Sequence, residues 1–137
     1  MESIKERKME FIIYNNKRHQ EIFENAIIKK NENNYALLAV VYLFTADNEL
    51  WKETKDHVKK SKIEFENIKL KAIYSKGYIL YCVAKDLYLG TGRVTISDIT
   101  NRSLVDPKLY EVICNAMVIR RFGRNAWCWR ALDKESA

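Results

Sequence analysis

Apolar positions along the chain fall into blocks of helical spacing separated by short polar breaks. The stretch 1–14 puts a charged half before the cluster Phe11-Ile12-Ile13, which predicts a first helix that Asn15-Asn16 ends. A second helix is predicted from Lys17 to Lys30. There Ile22, Phe23, Ala26 and Ile27 recur at i, i+1, i+4 and i+5 and share one face. Lys29 and Lys30 suit the negative end of its dipole. Asn31-Glu32-Asn33-Asn34 then makes a polar turn that supplies an N-cap. The third helix, Tyr35 to Ala46, is apolar on every face. A helix of that kind has to be covered all round, so it is expected at the centre of a bundle. Asp47 or Asn48 caps a fourth helix reaching about Lys60, with Leu50, Trp51, Thr54 and Val58 turned inward.

The period changes after Ser61. Ile63 and Phe65 alternate, as do Ile68 and Leu70, which reads as extended chain. A fifth helix is expected from Lys76 to about Leu89, with Ile79, Cys82, Val83 and Leu87 as its core stripe and Gly90 as its left-handed stop. Val94 and Ile96 form a second short extended piece. The two pieces, around 63–70 and 93–96, could pair as a minor two-stranded ribbon. Ser97-Asp98-Ile99 starts one helical turn. Asp106 and Pro107 then open the final long helix as N-cap and first helical residue. Leu109, Val112, Ile113, Ala116 and Met117 give it the clearest amphipathic stripe in the chain, and Gly123 stops it.

These elements predict an all-α protein, a single compact bundle of five or six helices over residues 1–137. Residues 1–33 would supply N-terminal helices packed on a core of 34–123, and 124–137 would form an Arg/Trp tail. Composition strengthens the helical reading. The chain of 137 residues has 4 glycines and 1 proline, far too few for the many turns of an all-β fold. Its 47% hydrophobic and 31% charged residues are globular rather than disordered proportions.

Charge adds little. The formal net charge of +6 leans towards the C-terminus and favours an anionic partner, though such a charge is common in proteins that bind none. Cys82, Cys114 and Cys128 are odd in number and widely spaced, with no CxxC. They read as free thiols in a reducing, cytoplasmic setting. Met1 to Lys8 lacks the apolar core of a signal peptide, and the run Tyr35 to Phe44 is about half the length of a membrane span, so no membrane partner is expected.

Candidate chemistry is sparse. His19 and His57 have no ligand-spaced Cys, Asp or Glu beside them, and no HExxH, P-loop or GxGxxG is present. No metal, cofactor or catalytic residue is therefore expected. Gly90-Thr91-Gly92 follows a predicted helix rather than a strand, which argues against a phosphate loop. Asp98 and Lys85 could serve as an acid–base pair, but Asp98 reads better as a cap. The stretch Val94 to Ile99 resembles the start of a helix-turn-helix, yet the following helix would begin with apolar Leu109, Val112 and Ile113 and keep its arginines at the far end.

The remaining candidates are Arg120, Arg121, Arg124 and Arg130 with Trp127 and Trp129. Arginine beside tryptophan suits a protein interface, and it also suits stacking on single-stranded nucleic acid. The plainer reading is that Trp127 covers the open end of the bundle while the arginines cap helix carbonyls. The sequence favours a non-enzymatic protein that binds another protein, with nucleic-acid binding through the C-terminal Arg/Trp residues as the alternative and self-association as a third outcome.

Several segments resemble a group of small bacterial proteins of unassigned function, some carried on mobile elements. They are Tyr42-Leu43-Phe44-Thr45-Ala46-Asp47-Asn48-Glu49-Leu50-Trp51, Ile63-Glu64-Phe65, Ile68-Lys69-Leu70, Ala84-Lys85-Asp86-Leu87-Tyr88, Thr95-Ile96-Ser97-Asp98-Ile99 and Asn115-Ala116. The resemblance covers about Tyr42 to Gly123. It implies a compact helical domain and carries over no catalytic or ligand-binding residue. By association it suggests a phage- or mobile-element-encoded modulator or inhibitor of a host protein, including a defence complex.

Overall fold

A computed structural model describes residues 12–71 and 74–124. Among these residues the protein is all-α. Its helices are α1 (Lys17–Ile27), α2 (Tyr35–Thr45), α3 (Asn48–Thr54), α4 (Ser75–Leu89), α5 (Ile96–Ile99) and α6 (Pro107–Phe122). The expected first helix falls mostly outside the described residues, and Ile12 to Tyr14 are not helical.

Helix α2 is the hub, as its all-round apolarity requires. Every residue from Leu37 to Thr45 is buried, and α6, α4, α1 and α3 all pack against it. Local chemistry sets the helix ends. Asn16, Asn34, Asp47 and Asp106 each accept a hydrogen bond from the backbone N–H three residues on, which satisfies one of the orphan donors of the first turn. Gly90 ends α4 at φ 72°, a conformation that costs glycine nothing. Gly123 ends α6 at φ 82°, where glycine alone is at ease, and the Tyr35 ring lies so close that an added Cβ would sit 2.6 Å from Cε1.

Three expectations are corrected. The ribbon between 63–70 and 93–96 does not form. Among the described residues the β pairing is an isolated bridge between Val58 and Ile63, and Phe65–Asn67 is a 3-10 turn. The backbone donors a ribbon needs are already used: Ile63 N–H donates to the Tyr88 hydroxyl at 3.1 Å, and Arg93 and Val94 N–H donate to Asp86 at 2.7 and 2.8 Å. The burial alternation was nevertheless real, since Ile63, Phe65 and Ile68 are all buried.

The fourth helix is shorter than expected, giving way at Lys55–His57 to a 3-10 turn. The inner faces of α1, α4 and α6 are partly as expected: Phe23 and Ile27, Cys82 and Val83, and Leu109, Val112, Ile113 and Ala116 are buried, while other positions differ. On α1 the buried residues are His19, Phe23 and Ile27, with Ile22 and Ala26 half-buried. On α4 they are Gly77 and Leu80 to Ala84, with Ile79 and Leu87 only half-buried. On α6 Ile119 replaces the exposed Met117.

Candidate functional site

Among the described residues, the sequence candidates Arg120, Arg121 and Arg124 at the end of α6 each meet different neighbours. Arg120 is exposed and lies against the end of α4, its Nε donating to the Leu87 carbonyl at 3.2 Å. A cation at the C-terminal turn of α4 complements that helix's negative end. Arg124 reaches the other way. Its Nη2 lies 2.5 Å from Glu24 Oε2 on α1, and its Nη1 lies 3.2 Å from Glu32 Oε1 in the α1–α2 connection. Arg121 is exposed and lies over the neighbouring Phe122 ring, 5.4 Å from its centroid. Trp127, Trp129 and Arg130 lie outside the described residues.

Two of the four arginines proposed for partner binding thus have internal anionic or carbonyl partners. Capping of helix carbonyls by arginine holds for Arg120, as the plainer reading expects. The helix-turn-helix reading also loses its geometry. α5 is a helix of four residues, and the start of α6 buries Leu109, Val112 and Ile113 in the bundle core, where a recognition helix needs exposed polar side chains.

The buried polar cluster around His19 was not legible in the sequence. His19 is fully buried, and both ring nitrogens are used. The Asn15 N–H donates to Nδ1 at 2.9 Å, so the ring proton sits on Nε2, which donates to the Tyr42 carbonyl at 2.7 Å. Burial lowers its pKa to about 4, outweighing the carbonyl bond that favours the charged form, so the ring is neutral at physiological pH. Tyr14 and Tyr42 pack against it with ring centroids 5.3 and 4.7 Å away. The Tyr42 hydroxyl donates to the Ile13 carbonyl and hydrogen-bonds with Asn115. The Tyr14 hydroxyl donates to Glu24 at 3.2 Å. Burial pushes both phenols above their usual range. A histidine with both nitrogens spent on backbone groups has none left for a substrate, so this cluster fastens residues 12–16 and α1 onto α2.

Two further candidates resolve into local structure. Asp86 accepts from the Thr91 hydroxyl and from Arg93 and Val94 N–H. Burial pushes its carboxyl up, but these hydrogen bonds and the Arg93 charge outweigh that and leave it below its usual range. The Gly90-Thr91-Gly92 turn therefore wraps an internal carboxylate and not an external phosphate. Asp98 closes a capping box with Thr95, each side chain accepting the other's N–H at 3.0 Å. Among the described residues no group of three or more His, Cys, Asp or Glu is placed to hold a metal ion. Among them too, no helix is long and apolar enough to cross a membrane. Cys82 and Cys114 are free thiols.

An open concavity lies at the other end of α6. Ile99, Thr100, Arg102, Val105, Pro107, Tyr110 and Glu111 line a shallow groove of about 780 Å³. The sequence showed the segment 95–107 as a short extended piece, one helical turn and caps, and not as the wall of a groove. The capping box fixes α5, Val105 is buried in the core as an anchor, and Asp106 turns the chain into α6. This leaves Ile99, Val105, Pro107 and Tyr110 as an apolar lining, with Tyr110 43% exposed. Arg102 and Glu111 put opposite charges on it, the latter 3.7 Å from Lys108. Ile96 and Leu104 nearby in the chain are 81% and 46% exposed. No family model, curated protein or solved structure matches this chain.

Proposed function

We propose that the protein is a non-enzymatic binding protein that takes an apolar segment of another protein into the groove between α5 and α6. The observation that carries this reading is the lining itself: exposed Tyr110 with Pro107, Ile99 and Val105, flanked by Arg102 and Glu111. A large aromatic group in a concave apolar surface with a charged rim is the usual anatomy of a protein-interaction hot spot. The runner-up, nucleic-acid binding through the C-terminal arginines, is weakened by the internal partners of Arg120 and Arg124. The resemblance to proteins carried on mobile elements makes a host protein the partner class we favour, including a component of a defence complex.

The test is affinity capture from the native host with wild-type protein, Tyr110→Arg and Arg121→Ala, with mass spectrometry of what is retained. The reading expects a partner protein that Tyr110→Arg loses and Arg121→Ala keeps. Retention of nucleic acid that falls steeply with salt and with Arg121→Ala, and is indifferent to Tyr110→Arg, would overturn it.

A further inference from the structure

The apolar lining of the groove continues along α6. Tyr110, Cys114, Met117 and Arg121 follow one another at i, i+4, i+7 and i+11 of that helix, so they share one face. Pro107, three residues before Tyr110, heads the same line. The face looks outward. Tyr110 and Met117 are 43% and 40% exposed, and Cys114, in hydrogen-bond contact with the Tyr110 side chain, is half-buried. On α1 the exposed positions are Lys17, Gln20, Glu21 and Asn25, the polar types that water favours. The outward line of α6 is apolar from Pro107 to Met117, about 15 Å of helix axis, and meets its first charge at Arg121. This helix is therefore apolar on two faces, and the described residues bury one of them.

Charge at the margins says what fits the other face. Arg102 is exposed at the groove end and Arg121 at the far end, and neither is ion-paired among the described residues. The acidic groups near them are already engaged: Glu111 has Lys108 3.7 Å away, and Asp106 caps the Leu109 N–H. The uncompensated charge is thus positive at both ends of an apolar line. Among the described residues the β pairing is the bridge between Val58 and Ile63, which offers no strand edge beside this face for an extended peptide. A straight apolar line on a helix suits the side chains of a second helix, which interdigitate with it. We propose that one amphipathic helix of the partner protein lies along α6 from Pro107 to Arg121, its apolar side on Tyr110, Cys114 and Met117 and carboxylates on its flanks meeting Arg102 and Arg121. This rests on the groove reading and extends it, the groove holding one end of the partner helix. A single rim charge contributes a few-fold in affinity at most, so capture of the partner survives Arg121→Ala.

Three synthetic peptides of about 20 residues, long enough to span the contact as helices, test this by titration calorimetry against the full chain. One carries leucines at helical spacing with glutamates elsewhere. The second has lysines in place of the glutamates. The third scrambles the first, which keeps its bulk attraction to a chain of net charge +6 and removes the apolar face. The acidic amphipathic peptide should bind at least about tenfold more tightly than either control. Met117→Glu should weaken that binding by about tenfold or more and Met117→Ala by less, both with unchanged far-UV circular dichroism, because Met117 is exposed. Arg102→Glu/Arg121→Glu should weaken it by about tenfold at low salt and by less at high salt. No binding, or equal binding of the three peptides, would overturn the proposal. Loss with Tyr110→Arg but not with Met117→Glu would also overturn it and leave the groove reading standing. Binding that neither variant alters would remove both. A doubled mass of the free chain on a sizing column, returned to the monomer by Met117→Glu, would mean that a second copy covers the face, and would equally overturn it.

Discussion

The two ends of α6 carry opposite kinds of side chain, and they use them differently. At the Gly123 end two charges find partners within the molecule, Arg120 on the end of α4 and Arg124 on α1 and the turn that follows it, while Arg121 stays exposed. At the Asp106 end the cap is satisfied by the local backbone, and apolar Tyr110 and Pro107 are left lining an open groove. An arginine cluster in a sequence suggests recognition. In the fold, what matters is whether each guanidinium already has a partner: Arg120 and Arg124 do, which leaves Arg121 and the apolar groove exposed.

Four perturbations break or sharpen this contrast. The largest effect is expected at Gly123. Gly123→Val puts a branched side chain at φ 82° and into the Tyr35 ring, and should cost about 3 to 4 kcal/mol in urea unfolding. Adding Tyr35→Ala should restore only part of this, since the backbone strain remains.

Next is the His19 cluster that holds α1, the helix Arg124 grips. The folded-state pKa of about 4 lies below the ordinary imidazole value of 6.5. As pH falls through 6.5 the unfolded chain takes up a proton that the folded chain refuses. Stability therefore drops with falling pH, and the loss is complete below about 4, at a size on the order of 3 kcal/mol. The difference in unfolding free energy between wild type and His19→Gln, followed from pH 7 to 4, should narrow by that amount. A constant difference would remove His19 from the account.

Arg124→Ala should cost about 1 kcal/mol, because both ion pairs are partly exposed, and the cost should shrink in high salt. The smallest effect on stability belongs to the groove: Tyr110→Ala should stay within about 0.5 kcal/mol of wild type. A larger cost would show that Tyr110 is bound into the fold.

Much of the frame was legible because the signals are local. Asn34, Asp47, Asp106, Gly90 and Gly123 act within a turn of their own position, and the all-round apolarity of Tyr35 to Ala46 requires burial wherever the helix sits. The long-range pairings were not legible. Arg124 finds Glu24 across 100 positions, and His19 finds the Tyr42 carbonyl across 23. No periodicity encodes either, so one looked like a free cation and the other like a histidine with no ligand-spaced neighbour. The misjudged edges of the stripes on α1, α4 and α6 have a related cause. Spacing shows that a helix has an apolar face, but which residue centres that face depends on the neighbours that close over it. The groove escaped notice because it is made by a capped turn, Val105 and the first turn of α6 meeting in space.

The central claim is that the arginine end of α6 belongs to the fold and the groove end is free surface. Urea midpoints of Arg124→Ala and Tyr110→Ala, measured side by side at low and high salt, test it most directly. The account predicts a lowered, salt-sensitive midpoint for Arg124→Ala and an unchanged one for Tyr110→Ala. A wild-type midpoint for Arg124→Ala together with a loss for Tyr110→Ala would contradict it.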